Sequence, residues 1–141
     1  MQFSAAILAV AAASMASAEA VFKISGFSAS CIPHSAQCVY EFGALKPGTM
    51  QTEPQPCRAQ VVGTDGTLPE IAQGTCGDST SLSFTVTKAD GGLVFAINER
   101  FTPSSVQTSK HTIPAAELEM QQTGASSQQV YKGPAAFDTE F

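Results

Sequence analysis

The sequence predicts an all-β fold: a small antiparallel β-sandwich or barrel stapled by two disulfides, behind a cleaved N-terminal signal peptide. Three observations predict it. Short alternating apolar runs are broken by Gly, Pro, Asp and Ser; four cysteines form an even set in 141 residues; and the chain opens on an apolar leader that ends in small residues. A chain of this length fits one domain.

The leader, residues 1–18, reads MQFSAAILAVAAASMASA. Its apolar run from 5 to 13 followed by Ala16-Ser17-Ala18 is the layout of a secretory signal peptide with an A-x-A cleavage site. Ala18-Glu19-Ala20 offers a second acceptable cut. The run is too short to span a bilayer. No later stretch is apolar enough to cross a membrane, and the C-terminal AAFDTEF lacks a hydrophobic anchor signal. The expectation is a secreted, extracellular chain without a transmembrane segment, with residues 19–141 forming one β-rich domain.

In an exported chain, Cys31, Cys38, Cys57 and Cys76 read as two disulfides. A zinc site would favour close C-x-x-C pairs, and the spacing here is C-x6-C-x18-C-x18-C. Three connectivities are open; Cys31–Cys38 with Cys57–Cys76 is preferred because both close local loops.

The elements follow in order. Residues 21–27 (VFKISGF) read as a strand with Phe22 and Ile24 on one face. Residues 38–42 place Cys38, Tyr40 and Phe42 together, with Glu41 outward. The prolines Pro47, Pro54 and Pro56 turn residues 46–56 into a loop. A strand resumes over 57–62, a turn region covers 63–69, and another short strand covers 70–76. Over 81–87 (SLSFTVT), Leu82, Phe84 and Val86 alternate strictly with Ser83, Thr85 and Thr87, the period of a strand with one buried face. Ala89-Asp90-Gly91-Gly92 is hairpin-turn chemistry, and 93–100 returns with Leu93, Phe95 and Ile97 inward. Residues 106–113 and 118–122 read as two more strands, 117–121 alternatively as a helical turn. Residues 124–129 read as a polar loop and 130–132 as a last short strand, giving seven or eight strands in all.

The chemistry is sparse. Seven basic residues against 12 acidic ones give a net charge of −5, and the Lys and Arg do not cluster, which argues against nucleic-acid binding. There is no G-x-S-x-G motif; His34 and His111 read as surface residues. Glu41, Glu99, Glu117 and Glu119 read as solvated charges on outward strand phases rather than as a glycosidase pair. Gly91-Gly92 precedes no helix and so is no phosphate cradle. The only asparagine, Asn98, precedes Glu99-Arg100 and is not a glycosylation acceptor. The reading is a non-enzymatic protein with no cofactor and no metal.

Val21-Phe22-Lys23-Ile24-Ser25-Gly26-Phe27, Cys31-Ile32-Pro33-His34-Ser35 and Tyr131-Lys132-Gly133-Pro134 resemble small secreted hypersensitive response-inducing proteins of filamentous fungi, elicitors of plant cell death. Similarity to the major Alternaria allergen β-barrel family covers the KIS-x-F opening. It resumes from Cys57-Arg58-Ala59 through Thr75-Cys76-Gly77 to Leu82-Ser83-Phe84 and Gly92-Leu93. That second resemblance implies a Cys57–Cys76 bridge between adjacent strands; a late cysteine pair of that family is missing here. With the export signal and the disulfides, the first resemblance implies an effector that binds a host extracellular or plasma-membrane protein. Loops carry recognition on rigid scaffolds, and the binding candidates are 46–56, with Lys46, Pro47, Pro54 and Pro56, and 102–109, with Pro103 and Ser104. Two other readings are a carrier of a small apolar ligand, walled by Phe22/Ile24, Tyr40/Phe42 and Leu82/Phe84/Val86, and an inhibitor of an extracellular protease with the Pro-rich loop as bait.

Overall fold

The computed structural model describes residues 19–141; the signal peptide read at 1–18 lies outside the described residues. Ten strands follow in chain order: β1 Phe22–Cys31, β2 Gln37–Leu45, β3 Gln55–Val62, β4 Ile71–Cys76, β5 Ser79–Ala89, β6 Gly92–Thr102, β7 Ser105–Ile113, β8 Leu118–Thr123, β9 Ser126–Tyr131 and β10 Phe137–Thr139. All pairings between strands are antiparallel, and the order is β7-β6-β5-β4-β3-β2-β1-β9-β8, with β10 also on β1. The fold is all-β, as expected, and barrel-like. The sheet curls until β10 spans the gap between β1 and β7: Phe22, Lys23 and Ile24 of β1 face Thr139, Asp138 and Phe137, and Glu140 exchanges two backbone hydrogen bonds with Lys110 of β7. Both disulfides take the preferred local pairing. Cys31–Cys38 joins facing residues of β1 and β2, and Cys57–Cys76 joins facing residues of β3 and β4.

Side-chain phase explains the curl. In β1, Phe22 and Ile24 are buried, and then the phase slips so that Phe27, Ala29 and Cys31 point inward. Gly26 makes the slip: its φ of +59° is open to glycine, and the β1–β2 register shifts between Ser25 and Ser28. The bulge bends β1 and divides its second edge between two strands, β10 before it and β9, through Ser30 with Val130, after it. The β5–β6 turn at Asp90 and Gly91 has φ of +50° and +79°, the positive values that tight hairpins need.

Aromatic rings fill the interior. Phe95 meets Phe42 edge-on at 4.9 Å, Phe27 at 5.5 Å and Phe137 at 5.7 Å between centroids. The side chains considered above as walls of a ligand pocket, including Phe22, Ile24, Tyr40, Phe42, Phe84 and Val86, are buried members of this one core. Two buried hydroxyls knit its rim: Ser109 and Thr139 lie 2.8 Å apart, and Thr139 Oγ1 also accepts the Phe22 backbone N–H.

Five expectations on elements are corrected. Pro56 lies in β3, not in the preceding loop; it is next to the strand start, where pairing with β4 has not yet begun, a position that tolerates the missing N–H. Residues 105–109 belong to β7, leaving Pro103 and Ser104 as a two-residue turn. The polar loop at 124–129 is a turn followed by β9, whose Ser and Gln side chains mask the strand period. The alternative helical turn at 117–121 gives way to the strand read at 118–122: a 3-10 turn at Ala115–Glu117 runs directly into β8. Val130 and Tyr131 end β9 rather than forming a last strand, and β10 follows them.

Candidate functional site

Along β6 the inward row Leu93, Phe95, Ile97 continues to Glu99 and Phe101. Glu99 therefore sits on the inner phase at the mouth of the barrel, not on the outward phase read from sequence, and its side chain is mostly covered. A carboxylate in that place needs a counter-charge. Lys46, the first residue after β2, supplies it: its Nζ bonds Glu99 Oε1 and lies 4.8 Å from the Phe101 ring centroid and 6.0 Å from that of Phe22. This ion pair ties the 46–54 loop to the end of β6, just before the Pro103-Ser104 turn. Of the 102–109 region, Gln107 of β7 lines a groove with Lys46 and Pro47, while Pro103 and Ser104 stand apart in their turn.

The 46–54 loop is braced from within. Gln51 Oε1 accepts the Lys46 N–H at 3.0 Å, and Gln51 Nε2 donates to the carbonyls of Ala44 and Glu53 at 3.2 and 2.9 Å. Thr49 Oγ1 donates to the Lys46 carbonyl at 2.8 Å. Met50, at the tip, is 99% exposed. Beside the loop a shallow groove of about 330 Å³ is lined by Val21, Lys46, Pro47, Gln107 and Phe141, with Glu19 and Ala20 at its edge. Phe101 is 52% and Phe141 79% exposed. Apolar rings around a neutralised ion pair are a surface that gains by being covered.

The other predicted positions separate. Pro54 packs over Gly43, where a Cβ would come within 2.7 Å of Pro54 Cβ, and serves the loop's anchorage; Pro56 lies exposed in β3. Pro103 and Ser104 are exposed in their turn. Glu41 is exposed and accepts from Arg58 Nε at 2.7 Å. Sequence reasoning missed Phe101 and Phe141, and the signal for Glu99 was its parity with Ile97.

A second group of polar side chains gathers on the other side of β10. Tyr131 donates its hydroxyl to the Pro134 carbonyl at 2.7 Å, and burial, then the neighbouring Glu117 charge, push the phenol up to about 12. Glu117, expected on an outward phase, instead turns inward from the 3-10 turn, and its Oε2 is buried without a hydrogen-bond partner among the described residues. Gly133 makes room: a Cβ there would fall 2.5 Å from Glu117 Oε2 and 2.6 Å from the Tyr131 hydroxyl. His111, expected at the surface, is half-buried on the inner phase of β7 and stacks on Phe137 with centroids 3.9 Å apart. Burial lowers its pKa, against the pull of Glu117 and Glu140. His34 is exposed, as expected.

Among the described residues no helix is long and apolar enough to cross a membrane. Comparison with protein-family models, with curated proteins and with solved structures found no match to this chain.

Proposed function

We propose that the protein is a secreted effector of the elicitor type, which acts by presenting the barrel mouth to a host partner on or outside the plant cell and triggers a defence response. The observation that carries this reading is the Lys46–Glu99 pair. It ties the 46–54 loop to the end of β6 and sets the exposed rings of Phe101 and Phe141 beside a cation that would be desolvated on contact. The signal peptide read from the sequence and the two disulfides support an extracellular setting. Contact, rather than catalysis, is the role proposed.

Infiltration of the purified exported protein into leaves of several hosts tests it. A necrotic or defence response is expected, and it should be lost in a Phe101→Ser, Phe141→Ser double variant that retains its fold by circular dichroism. No response from the native protein in any host removes the proposal.

One observation favours a second reading, protease inhibition. Gln51 braces the 46–54 loop from within and Met50 projects from it, the form of a presented bait residue. Extracellular protease rates unchanged by a molar excess of the protein dismiss that reading.

A further inference from the structure

The outer face of the sheet carries a polar groove of about 450 Å³, on the strand phase opposite to that of Glu99 and Phe101. Its walls are built by register. Thr75 of β4 faces Ser83 of β5, Ser83 faces Asn98 of β6, and Asn98 faces Thr108 of β7. Two residues further along β6, Arg100 projects from the same face, toward Val106 of β7. The hollow follows the β4–β5 seam, where pairing breaks register twice.

Three features define what such a groove takes. Its polar lining is hydroxyl and amide, from Gln73, Thr75, Ser81, Ser83 and Asn98, which both donate and accept, with Leu82 and Val106 as apolar patches between them. Among the described residues no Asp or Glu lines it. Arg100 is exposed and, among the described residues, has no ion-pair partner, whereas Arg58 on the same sheet is held by Glu41 and Gln60. One free guanidinium among many neutral hydrogen-bonding groups fits a ligand with one carboxylate per several hydroxyls. It is too little charge for nucleic acid. Successive strands also present these groups every 4.8 Å or so, a step comparable to the advance of a sugar ring along an extended glycan.

We infer that this groove binds an acidic oligosaccharide, with a uronate carboxylate on Arg100 and ring hydroxyls on Ser83 and Asn98. The ligand lies across β4, β5 and β6, and the site is independent of the barrel mouth.

Amide NMR titration and calorimetry of the exported protein test this with three probes: an oligomer of a uronic acid, a neutral oligosaccharide of equal length, and inorganic sulfate. The uronic oligomer is expected to bind, shifting the amides of Thr75, Ser83 and Asn98. Arg100→Gln should weaken it roughly tenfold or more, the loss of a charge-assisted hydrogen bond. Asn98→Leu should weaken it too, while Arg58→Gln and Phe101→Ser leave it unchanged. The inference is overturned by no binding, by equal binding of sulfate or of the neutral oligomer, by insensitivity to Arg100→Gln, or by shifts confined to the barrel mouth.

Discussion

Cys57 and Cys76 face one another and are bonded at the seam of β3 and β4, where only one further pair, Arg58 with Thr75, is in register. Every other neighbouring pair in the run from β2 to β7 zips over more residues. The bridge therefore holds the place where the sheet has least backbone to hold it. Replacing both cysteines by serine should cost about 3 kcal/mol, from the loop entropy released to the unfolded chain. The Cys31–Cys38 pair closes a shorter loop, on strands that pair along their length, and its double serine variant should cost nearer 2 kcal/mol. Urea unfolding ranks the two. Hydrogen exchange should speed up across β4 in the first variant and not in the second; the opposite order would contradict the account of the seam.

Phe95 should be the most costly ring to remove. It touches Phe27, Phe42, Phe84 and Phe137, so its loss opens a cavity between β1, β2, β5 and β10 at once. Phe95→Ala is expected to cost about 3–5 kcal/mol, whereas Phe101→Ala, at the exposed mouth, should cost under about 1 kcal/mol. Chemical denaturation of the two variants checks the contrast.

These differences also show what local sequence records. The β5–β6 hairpin was legible because both of its determinants are local: a period of two over Leu82, Phe84 and Val86, and the positive φ that Asp90 and Gly91 supply. The second half of β1 was not, because Gly26 shifts the phase and Phe27 then appears on the wrong face of a regular strand. β8 and β9 form a hairpin that hangs from β1 through one residue pair, so few of their side chains are buried and Ser and Gln fill the remaining positions. The mouth was legible in part. Lys46 and the two loops stand out by proline and glycine, but Glu99 looks like a surface charge until Lys46, 53 residues away in sequence, is brought over it. The polar groove depends wholly on register across strands and leaves no trace in any single segment.

The two tyrosines give a spectroscopic check on burial, because the chain has no others and no tryptophan. Burial raises the pKa of Tyr40, whose hydroxyl donates to the Pro69 carbonyl, and that of Tyr131 reaches about 12. A free phenol titrates near 10. Phenolate absorbance should therefore be almost absent from the folded protein at about pH 11 and appear in full on adding denaturant. Because the folded state holds these protons more tightly, stability should fall as pH rises through 10 toward 12. A full phenolate signal at pH 11 from protein still folded by circular dichroism would contradict the packing described around both rings.

His111 should make the attachment of β10 sensitive to mild acid. Its ring stacks on Phe137, and the next residue in the chain direction toward β6, Lys110, carries the two-bond bridge to Glu140, so the same short stretch of β7 holds the C-terminal strand twice. Burial lowers the imidazole pKa below 6.5, so the folded state takes up fewer protons than the unfolded chain as pH falls past that value. Its contribution to stability is thus whole above about pH 6.5 and declines as pH drops toward the lower folded value. Glu117 and Glu140 pull the other way, and salt screens them, so the decline should steepen at high ionic strength. His111→Phe keeps an aromatic ring on Phe137 and removes the titration. Its melting temperature should gain on the native protein between about pH 7 and pH 5, with the native protein's amide exchange over 137–140 speeding up across the same range. Parallel melting curves for the two proteins at both pH values would show that His111 does not couple protonation to the closing strand.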